Sequence, residues 1–261
     1  MTPAAALRLQ IENALAHRIP SALTPSPKII RPVAPTGVTA VDALLDGGLP
    51  LGAMTELVGP ESSGRTSLAL SFLARMTCTG NVCAWVDVTD ALDPESAAAA
   101  GVDLARLLWV RCGVQRNHLP DKRSRPWTRM EQALRATDLL LQAGGFRAIV
   151  LDMGSIAPEH ALRVPLATWF RYRTAAERTQ AGVLLLTQHA CAKSASELLL
   201  RFHAGQARAD EATVFTGIDH AVEVERRRFV TATENVVALR KPPQRHTGAQ
   251  WQSRSTWAGA R

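Results

Sequence analysis

From Gly37 onward, the chain predicts an α/β fold with a mostly parallel central sheet flanked by helices. Three observations carry that prediction. Short apolar segments alternate with segments of helical periodicity. The apolar segments are leucine-rich or β-branched and do not alternate strictly with polar residues, as befits strands covered on both faces. One of them runs into a glycine-rich loop that opens a helix.

The elements follow in order. Thr2-Pro3 reads as an N-cap followed by proline at the first helical position. Leu7, Ile11 and Leu15 then recur every four residues, which makes an amphipathic helix ending between His17 and Pro20. Residues 20 to 36 hold five prolines and read as an extended linker. The expected strands are Met54 to Val58, Val82 to Val86, Leu107 to Val110, Ala148 to Leu151 and Gly182 to Leu186. Helices are expected over Thr66 to Met76, Met130 to Ala143 and about Pro165 to Arg178; Gly144-Gly145 ends the second. Val222 to Arg226 and Val236 to Arg240 read as a closing hairpin. Lys241 to Arg261 contains no acid and two tryptophans, and reads as a basic tail. The organisation expected is therefore an arm over 1–36, a core over 37–240 and a tail over 241–261.

Composition bounds the function. Hydrophobic residues at 46% and charged residues at 20% exclude global disorder. Apolar runs such as Val183 to Leu186 are too short to cross a bilayer, and the N-terminus lacks a signal-peptide pattern. No membrane partner is expected, and the cytoplasm is the default location. Cys78, Cys83, Cys112 and Cys191 form no Cys-x-x-Cys pair and read as unpaired thiols of a reducing compartment. His160, His189, His203 and His220 lack metal-ligand spacing. A net charge of +7 favours an acidic partner such as nucleic acid. The segment 111–129 concentrates six basic residues against Asp121 alone. Lys122, Arg123 and Arg125, with Trp127 for stacking, suit non-specific DNA, although the plainer reading of the segment is a solvated insertion loop.

The chemistry centres on Gly59, Pro60, Glu61, Ser62, Ser63, Gly64, Arg65, Thr66 and Ser67. This is the phosphate-loop pattern G-x-x-x-x-G-K-S/T with arginine in the lysine slot. Its glycines let successive N–H groups curl around phosphate oxygens at a helix N-terminus. Thr66 is placed to hold Mg²⁺ through its hydroxyl. Arginine keeps the charge of lysine but is wider and planar, so the exchange is not conservative.

The segments "GVTAVDALLDGGLPLGAMTELVGPESSGRTS" and "CAWVDVTDALDPESAAAAGVDLARLLWV" resemble the core of the bacterial RecA recombinases. The resemblance runs from about Gly37 to Arg240 and implies a RecA-like P-loop NTPase fold. The size and the arginine in the loop are similar to ImuA, RecA-like accessory proteins encoded with an error-prone polymerase. That resemblance implies a place in the DNA-damage (SOS) response and translesion synthesis. It also implies an error-prone polymerase assembly and RecA as partners. By the same resemblance, Asp152 matches the Walker B aspartate that helps position Mg²⁺. Gln188 matches the glutamine that senses the γ-phosphate, and Asp93 a residue that approaches adenine. ATP and Mg²⁺ are the implied ligands, with binding weakened or lost. Where the family places the glutamate that activates water stands Thr89, and where it stacks a tyrosine on adenine stands Ser96. General-base help is worth about 10²–10⁴-fold, and threonine cannot supply it. The DNA loops that follow Asp152 and Gln188 are short. Glu225 to Arg228 resembles the position that presents basic residues to a neighbour's ATP. The N-terminal helix suits self-association or docking on its own core or on RecA, because a helix of roughly 15 residues is marginal alone. Two readings follow: an accessory protein of damage tolerance with little or no hydrolysis, and an ATP-dependent DNA-binding recombinase. A cell-division or signalling regulator on the same fold stays open.

Overall fold

The computed structural model describes residues 6–7, 29–113, 128–210, 213–231 and 247–254. Its centre is a nine-stranded sheet. Strands β4 (Met54–Val58), β5 (Cys83–Asp87), β6 (Leu107–Arg111), β7 (Ala148–Asp152), β8 (Gly182–Thr187) and β9 (Leu198–Phe202) lie in the order β9-β4-β8-β7-β5-β6. Every pairing among them is parallel. Helices α1 (Thr39–Leu44) and α2 (Arg65–Cys78) pack on one face, and helices α4 (Arg129–Ala143), α5 (Pro158–Leu162) and α6 (Leu166–Thr179) on the other.

Both faces are buried because successive side chains along a strand point to opposite sides. Leu57, Trp85, Val150 and Leu184 pack with Leu68, Phe72 and Leu73 of α2. Their neighbours Val86, Ile149, Leu151 and Leu185 pack with Ala133, Leu141, Trp169 and Tyr172 of α4 and α6. This is why those strands read as continuous apolar runs. Each such side chain contributes roughly 1.5–3 kcal/mol by leaving water. Helix α4 begins in a capping box in which Thr128 and Glu131 each satisfy the other's main-chain N–H. Gly144, at φ 70°, ends it.

The C-terminal third departs from the expectation. The expected strand Val222 to Arg226 lies inside a longer one, β11 (Thr213–Arg227). One stretch of β11 pairs antiparallel with β10 (Gln206–Asp210) and another with β9. Residues 248–254 of the expected tail are also a strand, β13 (Gly248–Arg254), antiparallel to β11. Alternation explains it: Ala249 and Trp251 pack on the core, and Trp251 meets Phe202 edge-on at 6.0 Å. Trp257 lies outside the described residues, as does the strand expected over Val236 to Arg240.

The expected linker is built into the domain over its described part. Strand β1 (Ile29–Ile30) pairs with β12 (Phe229–Val230), and β2 (Val33–Ala34) with β3 (Leu49–Pro50). Between them Arg31 is buried, and its guanidinium donates to both oxygens of the fully buried Glu197 at 3.0 and 2.7 Å. Arg173 adds a second cation to Glu197 at 3.4 Å. Of the N-terminal stripe, Leu7 is exposed, while Ile11 and Leu15 lie outside the described residues. So do Lys122, Arg123, Arg125 and Trp127.

Candidate nucleotide-binding edge of the sheet

Four neighbouring strands end together. Val58 is level with Thr187, Leu186 with Asp152, and Asp152 with Asp87. The loop Gly59 to Gly64, Gln188, Asp152 and Thr89 therefore share the C-terminal edge of the sheet, where ligands of open parallel sheets bind.

The loop has the curled backbone its glycines predict. Ser62 and Gly64 are both left-handed, at φ 57° and 94°. Gly64 is required twice over, because a Cβ there would lie 2.5 Å from His220 Nδ1. A Cβ on Gly59 would lie 2.7 Å from Phe202 Cβ. Pro60, Glu61 and Ser62 are exposed, Ser63, Gly64 and Arg65 are buried, and Thr66 and Ser67 face solvent in the first helical turn. Ser63 Oγ, Arg65 Nη1, Thr187 Oγ1 and His220 Nδ1 are buried without a hydrogen-bond partner in the protein. Unpartnered buried polar atoms are rare in native folds. Clustered on and beside a helix N-terminus, the Ser63 hydroxyl and the Arg65 guanidinium fit a polyphosphate.

Three of the expected residues converge on one peptide. Gln188 Nε2 donates to the Gly154 carbonyl at 3.1 Å, and Arg65 Nη2 reaches the same oxygen at 3.5 Å. The Gly154 N–H donates to Asp152 Oδ1 at 2.9 Å. Burial pushes the Asp152 carboxyl up to about 6, against the Gly154 N–H, which favours the charged form. Burial also lowers the Arg65 guanidinium from its ordinary value, opposed by Asp152 and then Glu61.

The loop after β5 is organised differently. Asp87, fully buried, accepts the main-chain N–H groups of Thr89, Ala91 and Leu92 at 3.3, 3.1 and 2.9 Å, and the indole N–H of Trp109. Asp90, next to Thr89, is left-handed at φ 62° and takes Arg111 through two bonds of 2.6 Å. Asp93 caps α3 (Pro94–Ala99), accepting the N–H groups of Glu95 and Ser96 and the Ser96 hydroxyl. Both oxygens of the residue expected near adenine are thus engaged by its own helix.

The basic run Arg226 to Arg228, expected to face a neighbouring nucleotide, is engaged within the chain. Arg226 pairs with Glu56 at 3.2 Å, Arg227 with Asp46 at 2.8 Å, and Arg228 donates to the Ser194 carbonyl. Glu56 also accepts the N–H groups of Cys191 and Ala192 at 2.9 and 2.7 Å, which pins the short loop after Gln188. Glu56, Asp87 and Gly154 were not legible as site residues, and His220 only as a histidine without metal-ligand spacing. The acid at 56 inside an apolar strand was the one local sign.

The comparisons agree with this architecture. The family model for the RecA N-terminal domain matches residues 10–164. Protein RecA of Cutibacterium acnes is 41% identical over 119 residues, 45% of this chain and 30% of that protein. Protein RecA of Symbiobacterium thermophilum is 43% identical over 121 residues, 46% of this chain and 30% of its own length. The matched segment is thus under a third of these relatives. The crystal structure of the RadB recombinase superposes with a TM-score of 0.55 at 19% identity, covering 86% of this chain and 96% of that one, which is a likeness of fold. The family model spans more than half of the chain, and its phosphate loop stands where that fold requires: the chain belongs to the RecA family.

Proposed function

We propose that the chain is a RecA-like accessory module of DNA-damage tolerance, similar to ImuA, that binds nucleotide at the phosphate loop and hydrolyses it poorly. One observation carries the reading. The phosphate loop keeps its curled backbone and unpartnered polar atoms, while no carboxylate of the β5–α3 loop is free to activate water. Thr89 holds the position of the base, Asp90 is clamped by Arg111, and Asp87 is consumed by three main-chain N–H groups. The short loop after Gln188, pinned by Glu56, supports a role other than building a recombinase filament. The partners in this reading are an error-prone polymerase assembly and RecA. Non-specific DNA contact would use the 111–129 segment, and self-association the N-terminal helix.

Steady-state hydrolysis of ATP with and without single-stranded DNA tests the first half. Turnover is expected to be negligible in both; DNA-stimulated turnover would favour the recombinase reading. In the double variant Arg65→Lys with Thr89→Glu, turnover is expected to rise by about 10²-fold or more. Capture from damaged cells tests the second half: RecA and an error-prone polymerase are expected to co-purify with the full chain.

A further inference from the structure

Nucleotides reach phosphate loops of this kind with a divalent cation, and Thr66 with Asp152 is the donor pair that would hold it. The nucleotide part of that expectation fits the residues, as the unpartnered Ser63 hydroxyl indicates. The metal part does not fit, because of where Arg65 sends its charge. Its guanidinium does not stop at the loop. It crosses to the far side of the edge and lies against Gly154, two residues beyond Asp152. A methyl group on Gly154 would be 3.1 Å from Asp152 Oδ1 and 3.4 and 3.5 Å from the two terminal nitrogens of Arg65. Guanidinium and carboxylate thus flank one bare glycine, and the pair is buried, with Arg65 at 7% and Asp152 at 7% exposure. The carboxylate that would help recruit a divalent cation already has a permanent positive charge beside it.

Resting on the nucleotide-binding reading above, we propose that this site takes nucleoside polyphosphates without a divalent metal, with Arg65 serving as the cation. Like charges in a buried, weakly screened site repel strongly, so a doubly charged ion beside the guanidinium is disfavoured. Arginine stays protonated at any physiological pH, so its charge does not switch off to admit the metal. The Nη1 nitrogen, buried with no acceptor, is a donor left for a phosphate oxygen, and the planar fork suits that oxygen pair. Lysine in this position is a compact point charge and leaves the Asp152 side open. The exchange therefore changes which ion accompanies the nucleotide, in addition to its effect on hydrolysis.

The test is isothermal titration of the full chain with ADP and with ATP, in excess EDTA and in excess Mg²⁺. For the native chain binding is expected to be about tenfold or more weaker in excess Mg²⁺, which draws the nucleotide into its own complex, whereas Arg65→Lys is expected to bind about tenfold or more tighter with Mg²⁺. Native binding that is equal in the two buffers, needs Mg²⁺ or tightens with it overturns the inference and leaves the nucleotide reading intact. A folded native chain that binds neither nucleotide in either buffer overturns that reading and the inference with it. Paramagnetic resonance of Mn²⁺ checks the point without any variant. Adding the native protein to Mn²⁺ and ADP is expected to immobilise no more Mn²⁺ than ADP alone does. A protein-bound Mn²⁺ signal overturns the inference.

Discussion

The phosphate loop and the loop after β5 stand at the ends of strands of the same sheet edge, yet they use their polar groups in opposite ways. In the phosphate loop and against it, Ser63 Oγ, Arg65 Nη1 and His220 Nδ1 are buried with no partner. In the β5–α3 loop every acid is occupied: Asp87 by main-chain N–H groups, Asp90 by Arg111, Asp93 by the start of its own helix. A loop whose polar groups are satisfied internally is finished as a structure. One that buries donors without acceptors keeps a cost that a ligand can relieve. In the proposed reading the first loop is the half of the site that takes phosphate, and the second serves as scaffold.

Breaking the phosphate half has the largest expected effect. Gly64→Ala places a Cβ against His220 in a left-handed backbone. Overpacking of this kind costs about 1–3 kcal/mol, with left-handed strain added to it. ADP binding by calorimetry is expected to vanish, and the urea midpoint to fall. Enlarging the pocket by His220→Ala in the same chain is expected to recover part of the stability and none of the binding, because the strain in φ remains.

Breaking the scaffold half costs stability and not affinity. Asp87→Asn replaces a charged acceptor of several N–H groups and is expected to cost about 1.5–3 kcal/mol in urea unfolding. ADP affinity should stay close to native. A matching loss of affinity would mean that the two loops still act as one site.

A pH series sharpens the contrast. Burial lowers the pKa of His220, against the Ser63 main chain and Asp219, which favour its charged form. Asp219 is itself paired with Arg208, and Ser253 from β13 contacts Nε2 at 2.9 Å. The unfolded chain therefore takes up a proton first, near the ordinary histidine value of about 6.5. The contribution of neutral His220 is complete above that value and is lost as pH falls through the lower folded value. Melting temperature should decline on acidification more steeply in the native chain than in His220→Gln. Equal slopes would place the acid sensitivity elsewhere. The smallest effect is expected from Asp90→Asn, which weakens an exposed pair and keeps a side chain that tolerates the left-handed backbone. Melting should be unchanged, and hydrolysis should stay as low as in the native chain if Asp90 has no part in activating water.

Much of the parallel half was legible in the sequence. Met54 to Val58 is observed with the expected ends, and the four other expected strands differ by a residue. Helix α4 starts at Arg129, one residue before its expected start, because the capping box of Thr128 and Glu131 fixes it. These elements were readable because their signals are local: a run of buried residues, a cap, a glycine at a stop. The antiparallel half was less readable. Residues 248–254 looked like a tail because small and polar residues alternate around a single tryptophan. That alternation becomes a strand only when β9 presents Phe202, and β11 presents Val222 and His220, for Trp251 to cover.

By itself the sequence determined where the phosphate loop stands and which residues line it, since glycine spacing and helix initiation act over a few residues. The resemblance to the RecA family, and not the spacing, is what implies that Thr89 stands where a base would be. Only the tertiary structure decided which charges are spent and which are free. Arg65 meets Gly154 across 89 positions, Arg31 meets Glu197 across 166, and Arg226 meets Glu56 across 170. Such partners are set by the order of strands in the sheet. A basic run such as Arg226 to Arg228 therefore reads as available along the chain, and is engaged by Glu56, Asp46 and the Ser194 carbonyl once β11 crosses beside β9.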